Sequence, residues 1–213
     1  MALQNLDLEE QEQLAELKAW WKQYGNLVLL TIIAGALVVA GWNGWRWYQR
    51  SQAAQASALY DTLAKAVGAG DAKALRDAGG ALTEGYPRTL YASMGALAAA
   101  RFHFDRNELK SAKAQLQWVV ERSPSEEYRE IARLRLAHVL LDEKAYDEAL
   151  TLLEAKPLEA YAAQVAALRG DVLLAQGRRG DAVAAYRLAL DKAGSQGGAF
   201  RDSVQLRLDA LGG

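Results

Sequence analysis

The 213-residue chain has no cysteine, three prolines, two histidines and a net charge of −1. The missing cysteine excludes disulfides, thiolate nucleophiles and cysteine zinc sites. A charge near zero removes the electrostatic case for nucleic acid, which needs a basic face. No GxxxxGK[ST] phosphate loop and no GxSxG elbow occurs, so neither nucleotide hydrolysis nor acyl transfer has its usual starting point. His103 and His138 lie far apart amid apolar residues, with no second ligand at metal spacing, so they read as packing residues. Asp147 and Glu148 are adjacent carboxylates, but on a helical hairpin such a pair is solvated rather than catalytic. Neither catalysis nor any metal or cofactor is expected.

Hydrophobic residues make up 51% of the chain although its mean hydropathy is slightly negative. The apolar residues are therefore concentrated locally. Between Lys22 and Arg46 lie 23 residues without a formal charge, roughly 35 Å as a helix and enough to cross a hydrocarbon core of about 30 Å. Trp20, Trp21 and Tyr24 precede the run, and Trp42, Trp45, Trp47 and Tyr48 follow it, where amphipathic rings favour the headgroup boundary. The run is longer and starts later than a signal-peptide core, and it ends in bulky residues, which predicts an uncleaved anchor. Ala36, Ala40 and Gly44 form a small-xxx-small ladder, the candidate surface for packing another membrane helix; chance accounts for it equally well in a span rich in alanine and glycine. Lys18 and Lys22 on one side balance Arg46 and Arg50 on the other, so charge does not orient the span. Residues 1–23, with Asp7, Glu9, Glu10, Glu12 and Glu16, read as a short solvated helix entering the membrane.

The three prolines share one context: Pro87 and Tyr91, Pro124 and Tyr128, Pro157 and Tyr161, successive copies 37 and 33 residues apart. Each copy has a small residue thirteen positions after the proline (Ala100, Ala137, Gly170) and an alanine twelve further on (Ala112, Ala149, Ala182). A period near 34 with small residues at fixed offsets indicates stacked helical hairpins. Proline suits the first turn of the leading helix of each copy, whose N–H groups have no intrahelical partner. A preceding pair, about Gln52 to Val67 and a second helix capped by Asp71, reads as a degenerate repeat weakened by Gly79, Gly80 and Gly85. After the glycine-rich stretch 194–198, a final helix with Val204, Leu206, Leu208 and Leu211 is expected to cover the open end. Arg133, Arg135 and Arg169 lie on first helices, which line the concave face of such a stack. A peptide-carboxylate clamp is one use for them, and a solvated charged face is the commoner one. Arg101 and Phe104 join them as candidate partner-binding residues.

The run Ala145-Tyr146-Asp147-Glu148-Ala149, with the small residues and alanines above, resembles the tetratricopeptide repeat. A short acidic tail, one span ending in Gly41-Trp42 and Trp45-Arg46, and Leu168-Arg169-Gly170-Asp171 leading to Gly177 together resemble the YfgM family, ancillary subunits of the SecYEG translocon. The resemblance implies an all-α protein: a single N-terminal transmembrane helix followed by a tetratricopeptide-like α-solenoid. The expected division is a tail at 1–23, a signal-anchor helix at 24–48, a linker helix and degenerate repeat at 49–86, three repeats at 87–193 and a capping helix at 194–213. It further implies a bacterial inner-membrane protein with a cytoplasmic N-terminus and periplasmic repeats. Its implied partners are the SecYEG translocon and a PpiD-type periplasmic chaperone, and its implied role is passing emerging polypeptides to periplasmic chaperones. A regulator that sequesters an envelope-stress signalling protein is the alternative.

Overall fold

A computed structural model describes residues 8–194 and 198–212; Asp7 lies outside them. Among the described residues the chain is helical, with no strand. The helices are α1 (Leu8–Ala69), α2 (Ala72–Gly85), α3 (Leu90–Asp105), α4 (Leu109–Arg122), α5 (Glu126–Asp142), α6 (Tyr146–Leu152), α7 (Ala162–Ala175), α8 (Arg179–Ala193) and α9 (Gly198–Asp209). A short 3-10 turn at Glu159–Tyr161 leads into α7. The chain divides into two compact units, Met1–Ser51 and Gln52–Gly213.

The first unit carries the membrane span. Its most apolar 18-residue window has a mean hydropathy of 2.0, and protein covers only 6% of it. A core helix of a soluble protein would be covered by its own chain; here Leu30, Leu37 and Val38 are all bare. The one hydroxyl between Leu27 and Trp42 is satisfied internally, Thr31 Oγ1 donating to the Leu27 carbonyl at 2.8 Å, as hydrocarbon surroundings require. At one end Trp20 packs against Trp21 and Tyr24, and at the other Trp45 packs against Tyr48. Among the described residues this is the one helix long and apolar enough to cross a membrane.

The second unit is a solenoid of four helical hairpins and a terminal helix. The first helix of each hairpin ends on a left-handed residue at the same register: Gly70 (φ 71°), Asn107 (φ 60°), Lys144 (φ 61°) and Gly177 (φ 80°). The next residue then donates its N–H back across the turn. Asp71 N bonds Ala66 O at 2.9 Å, Glu108 N bonds His103 O at 2.9 Å, Ala145 N bonds Leu140 O at 2.8 Å, and Arg178 N bonds Leu173 O at 2.9 Å. This is the Schellman termination, which satisfies carbonyls the helix leaves orphaned. The pair formed by the end of α1 and α2 is thus a full repeat unit, although it lacks the proline–tyrosine mark of the others. Asp71 caps α2 by accepting from Lys73 N and Ala74 N at 3.0 Å, and the helix runs through Gly79 and Gly80 to Gly85.

What lets the two helices of a hairpin meet is a pair of residues sixteen positions apart, matched in size. Ala100 is matched with Leu116, Ala137 with Leu153 and Gly170 with Tyr186, all of them buried. Tyr186 is the largest of the three second-helix residues. A Cβ built on Gly170 would lie 2.5 Å from its ring, so only glycine fits opposite it. In the opening hairpin the sizes are reversed: Leu63 is on the first helix and Gly79 on the second, with a Cβ on Gly79 falling 3.6 Å from Leu63 Cδ1.

Two sequence expectations are corrected. Pro87 and Pro124 lie just outside the helices, because a hydroxyl takes the capping position: Thr89 Oγ1 accepts from Ala92 N and Ser125 Oγ from Tyr128 N, each at 3.3 Å; Pro157 lies ahead of the 3-10 turn, where Leu158 makes no side-chain cap bond. Proline offers no such acceptor. In α9, Val204 (0% exposed) and Leu208 (5%) face the stack while Leu206 is 71% exposed. Residues four apart share a helix face, and two apart they do not.

The α9 helix is also held by charge. Asp171 on α7 accepts the Tyr186 hydroxyl at 2.7 Å and two bonds from Arg207 at 2.8 and 2.9 Å. Burial first, then the bond to Asp171, push the Tyr186 phenol well above its ordinary pKa of 10.0. A raised folded-state pKa gives stability that is complete below the unfolded value and is lost as pH rises past it.

Two predictions follow from this packing. Gly170→Ala should destabilise the domain by about 1–3 kcal/mol through overpacking, and adding Tyr186→Leu should restore part of it. A double-mutant cycle by denaturant unfolding would show the coupling, and additive costs would contradict it. Tyr186→Phe should cost about 1 kcal/mol at neutral pH and flatten the fall in melting temperature as pH rises above about 10. Parallel slopes for the two proteins would contradict the assignment.

Candidate partner-binding groove

Successive first helices lie side by side, and a cleft opens between α3 and α5. It encloses about 240 Å³ and is lined by Ala100, Arg101 and Phe104 of α3, Leu116 of α4, and Arg135, His138 and Val139 of α5. Ala100, Leu116 and Val139 are 2–3% exposed and form an apolar floor. The helical period builds the walls. Arg101 and Phe104 are three apart on α3, as Arg135 and His138 are on α5, so each pair projects from one face.

The rim is cationic. Arg101 Nε donates to Asp105 at 2.9 Å, and that hydrogen bond, more than simple charge attraction, raises the Arg101 pKa further. The pair sits in solvent, with the Arg101 side chain 73% exposed, and holds the guanidinium over the cleft without consuming its other N–H groups. Arg135 is exposed and has no ion pair among the described residues. Phe104 is 37% exposed, whereas its near neighbour Phe102 is 4% exposed and lies under the Arg106 guanidinium.

The structure therefore brings three of the five candidate residues together: Arg101, Phe104 and Arg135. Arg133 points elsewhere, paired with the buried carboxylate of Glu130 and only 18% exposed itself. Arg169 is exposed on α7 and does not line the cleft. One expectation is corrected: His138, read from the sequence as a packing residue, is exposed and lines the cleft. Its signal was present: it follows Arg101 by 37 residues, the spacing that relates Ala137 to Ala100. His103 is a different case, buried at 8% with Nδ1 2.6 Å from Glu108 Oε2, and serves the turn between α3 and α4. Among the described residues no three histidine or carboxylate side chains converge as metal ligands. On the span, Ala36, Ala40 and Gly44 are exposed at four-residue intervals, and a Cβ on Gly44 would meet nothing within 4 Å.

Residues 18–213 match the tetratricopeptide repeat-like domain family. A Haemophilus influenzae protein named ancillary SecYEG translocon subunit is 33% identical over 84% of this chain and 85% of its own length. Proteins of the same name from Neisseria gonorrhoeae and Escherichia coli are 33% identical over 96% of this chain and 98% of theirs, and 31% identical over 83% and 85%, respectively. No solved structure matches. With one membrane helix, a repeat solenoid and this similarity along most of its length, the chain belongs to the family of ancillary SecYEG translocon subunits.

Proposed function

We propose that this protein is a membrane-tethered interaction scaffold that associates with the SecYEG translocon and helps pass emerging polypeptides to periplasmic chaperones, a PpiD-type chaperone among them. The observation that carries the reading is the open groove between α3 and α5 on a solenoid whose chain also holds a single membrane span. The relatives' name supplies the translocon. The protein sits in the inner membrane with its N-terminus in the cytoplasm and its repeats in the periplasm. Residues 24–48 dock beside the translocon, with Ala36, Ala40 and Gly44 as the packing face. Arg101, Phe104 and Arg135 contact the partner. No step of this work requires catalysis.

Tethering explains why a small groove suffices. Once the span is docked, groove binding becomes an intramolecular event at high effective concentration. The alternative, a regulator that sequesters a signalling protein, differs in topology: a cytoplasmic signalling protein reaches only the N-terminal tail if the repeats lie outside.

Replacing residues 24–48 by an unrelated apolar span should lower recovery of SecYEG with the detergent-solubilised protein by about ten-fold or more. Unchanged recovery would contradict docking through the span. A reporter fused after Gly213 should be active in a periplasmic format; activity only in a cytoplasmic format would reverse the orientation and favour the regulator.

A further inference from the structure

We infer that the stripe Trp42, Arg46 and Arg50, at the C-terminal end of the membrane span, is a binding site for the phosphate headgroup of an anionic phospholipid. This goes beyond the scaffold reading and depends on neither the groove nor the translocon.

The charge pattern around the span comes first. Between Glu16 and Asp61 the chain has no carboxylate, and its cations there are Lys18, Lys22, Arg46 and Arg50. The two pairs are not equivalent. Asp7, Glu9, Glu10, Glu12 and Glu16 crowd the approach to Lys18, whereas the first acid after Arg50 is eleven residues further on. Neighbouring carboxylates repel a phosphate, so the arginine end is the better anion site. Arg46 and Arg50 are exposed, and neither forms an ion pair among the described residues.

Depth sets which group they meet. The uncharged run between Lys22 and Arg46 is centred on Ala34. At about 1.5 Å per residue, Arg46 stands about 18 Å from that centre and Arg50 about 24 Å. A hydrocarbon core ends about 15 Å from its midplane, and the headgroup layer ends at about 20–22 Å. Lipid phosphates therefore lie between the two guanidinium levels. The arginines are four apart and share a helix face, and guanidinium forks suit bidentate capture of phosphate. Trp42, one turn deeper on the same face, is exposed and offers its indole N–H as a further donor.

The direction of the stripe selects lipid over protein as the occupant. Arg46 follows Gly44 by two residues, about 200° round the helix, so the stripe looks away from the Ala36, Ala40 and Gly44 ladder. A helix seated on that ladder leaves the arginines facing lipid. A zwitterionic headgroup offsets its phosphate with its own ammonium, while an anionic one leaves the phosphate charge to the arginines.

The test equilibrates the purified full chain, in dodecylmaltoside micelles, with equal amounts of phosphatidylglycerol and phosphatidylcholine bearing the same acyl chains. The chain is recovered by affinity capture, and the lipid carried with it is measured by mass spectrometry of the extract. Phosphatidylglycerol should exceed phosphatidylcholine by about five-fold or more, the scale of one cation at a membrane surface, and added salt should reduce the excess. Arg46→Gln and Arg50→Gln should each lower it, and together they should bring the two lipids to parity. Lys18→Gln with Lys22→Gln, at the acid-flanked end, should change it by less than about two-fold. Parity in the unaltered protein would overturn the inference. So would an excess that survives the double arginine replacement, or one that vanishes with the lysines. No translocon is present in this measurement, so the lipid reading and the scaffold reading fail separately.

Discussion

The close approach of two antiparallel helices within each hairpin is the constraint on which the rest of the solenoid depends. At the crossing there is room for one large side chain and little opposite it. Ala100 and Leu116, Ala137 and Leu153, Gly170 and Tyr186 meet that limit one way, and Leu63 and Gly79 meet it the other way. Interiors are packed near crystal density, so a single methyl in the wrong partner is felt. The left-handed residue seven positions after each first-helix crossing residue then turns the chain at a fixed register. Crossing and turn together define the hairpin, and stacking hairpins buries the faces that no hairpin covers alone.

Much of this is legible in the residues, because period, small residues and turn glycines are local features. The three later hairpins are suggested by spacing, and the final helix by the glycine-rich stretch before it. The first hairpin is harder to read: its size pair is inverted, so a search for a small residue on the first helix passes over Leu63 and treats Gly79 as a defect. Pro87 and Pro124 mislead by three and two positions, since Thr89 and Ser125 hold the caps and the helices begin at Leu90 and Glu126. Leu206 misleads because composition does not say which face a leucine occupies. The membrane span is plain from length, charge and tryptophan placement.

The groove is only half legible. Arg101, Phe104 and Arg135 are suggested by residue type and helix, but that they converge depends on how α3 and α5 stack. Arg133 has the same credentials and is taken by Glu130, a pairing set by burial that spacing alone does not rank. His138 enters because its helix turn, not its chemistry, faces the cleft. One chain carries both a long apolar helix and a solenoid with a cationic, apolar-floored groove. Family membership connects the chain to the translocon, and the groove is the surface proposed to hold its partner.

The most direct measurement is in-cell photocrosslinking with a photoreactive phenylalanine analogue at Phe104 in the cleft, compared with one at Leu188 on the outer surface of α8. The account predicts adducts with secretory polypeptides and a membrane-anchored chaperone from position 104, which disappear when Arg101 and Arg135 are both replaced by glutamine, and few from position 188. Equal yields from both positions, or adducts confined to cytoplasmic proteins, would contradict it.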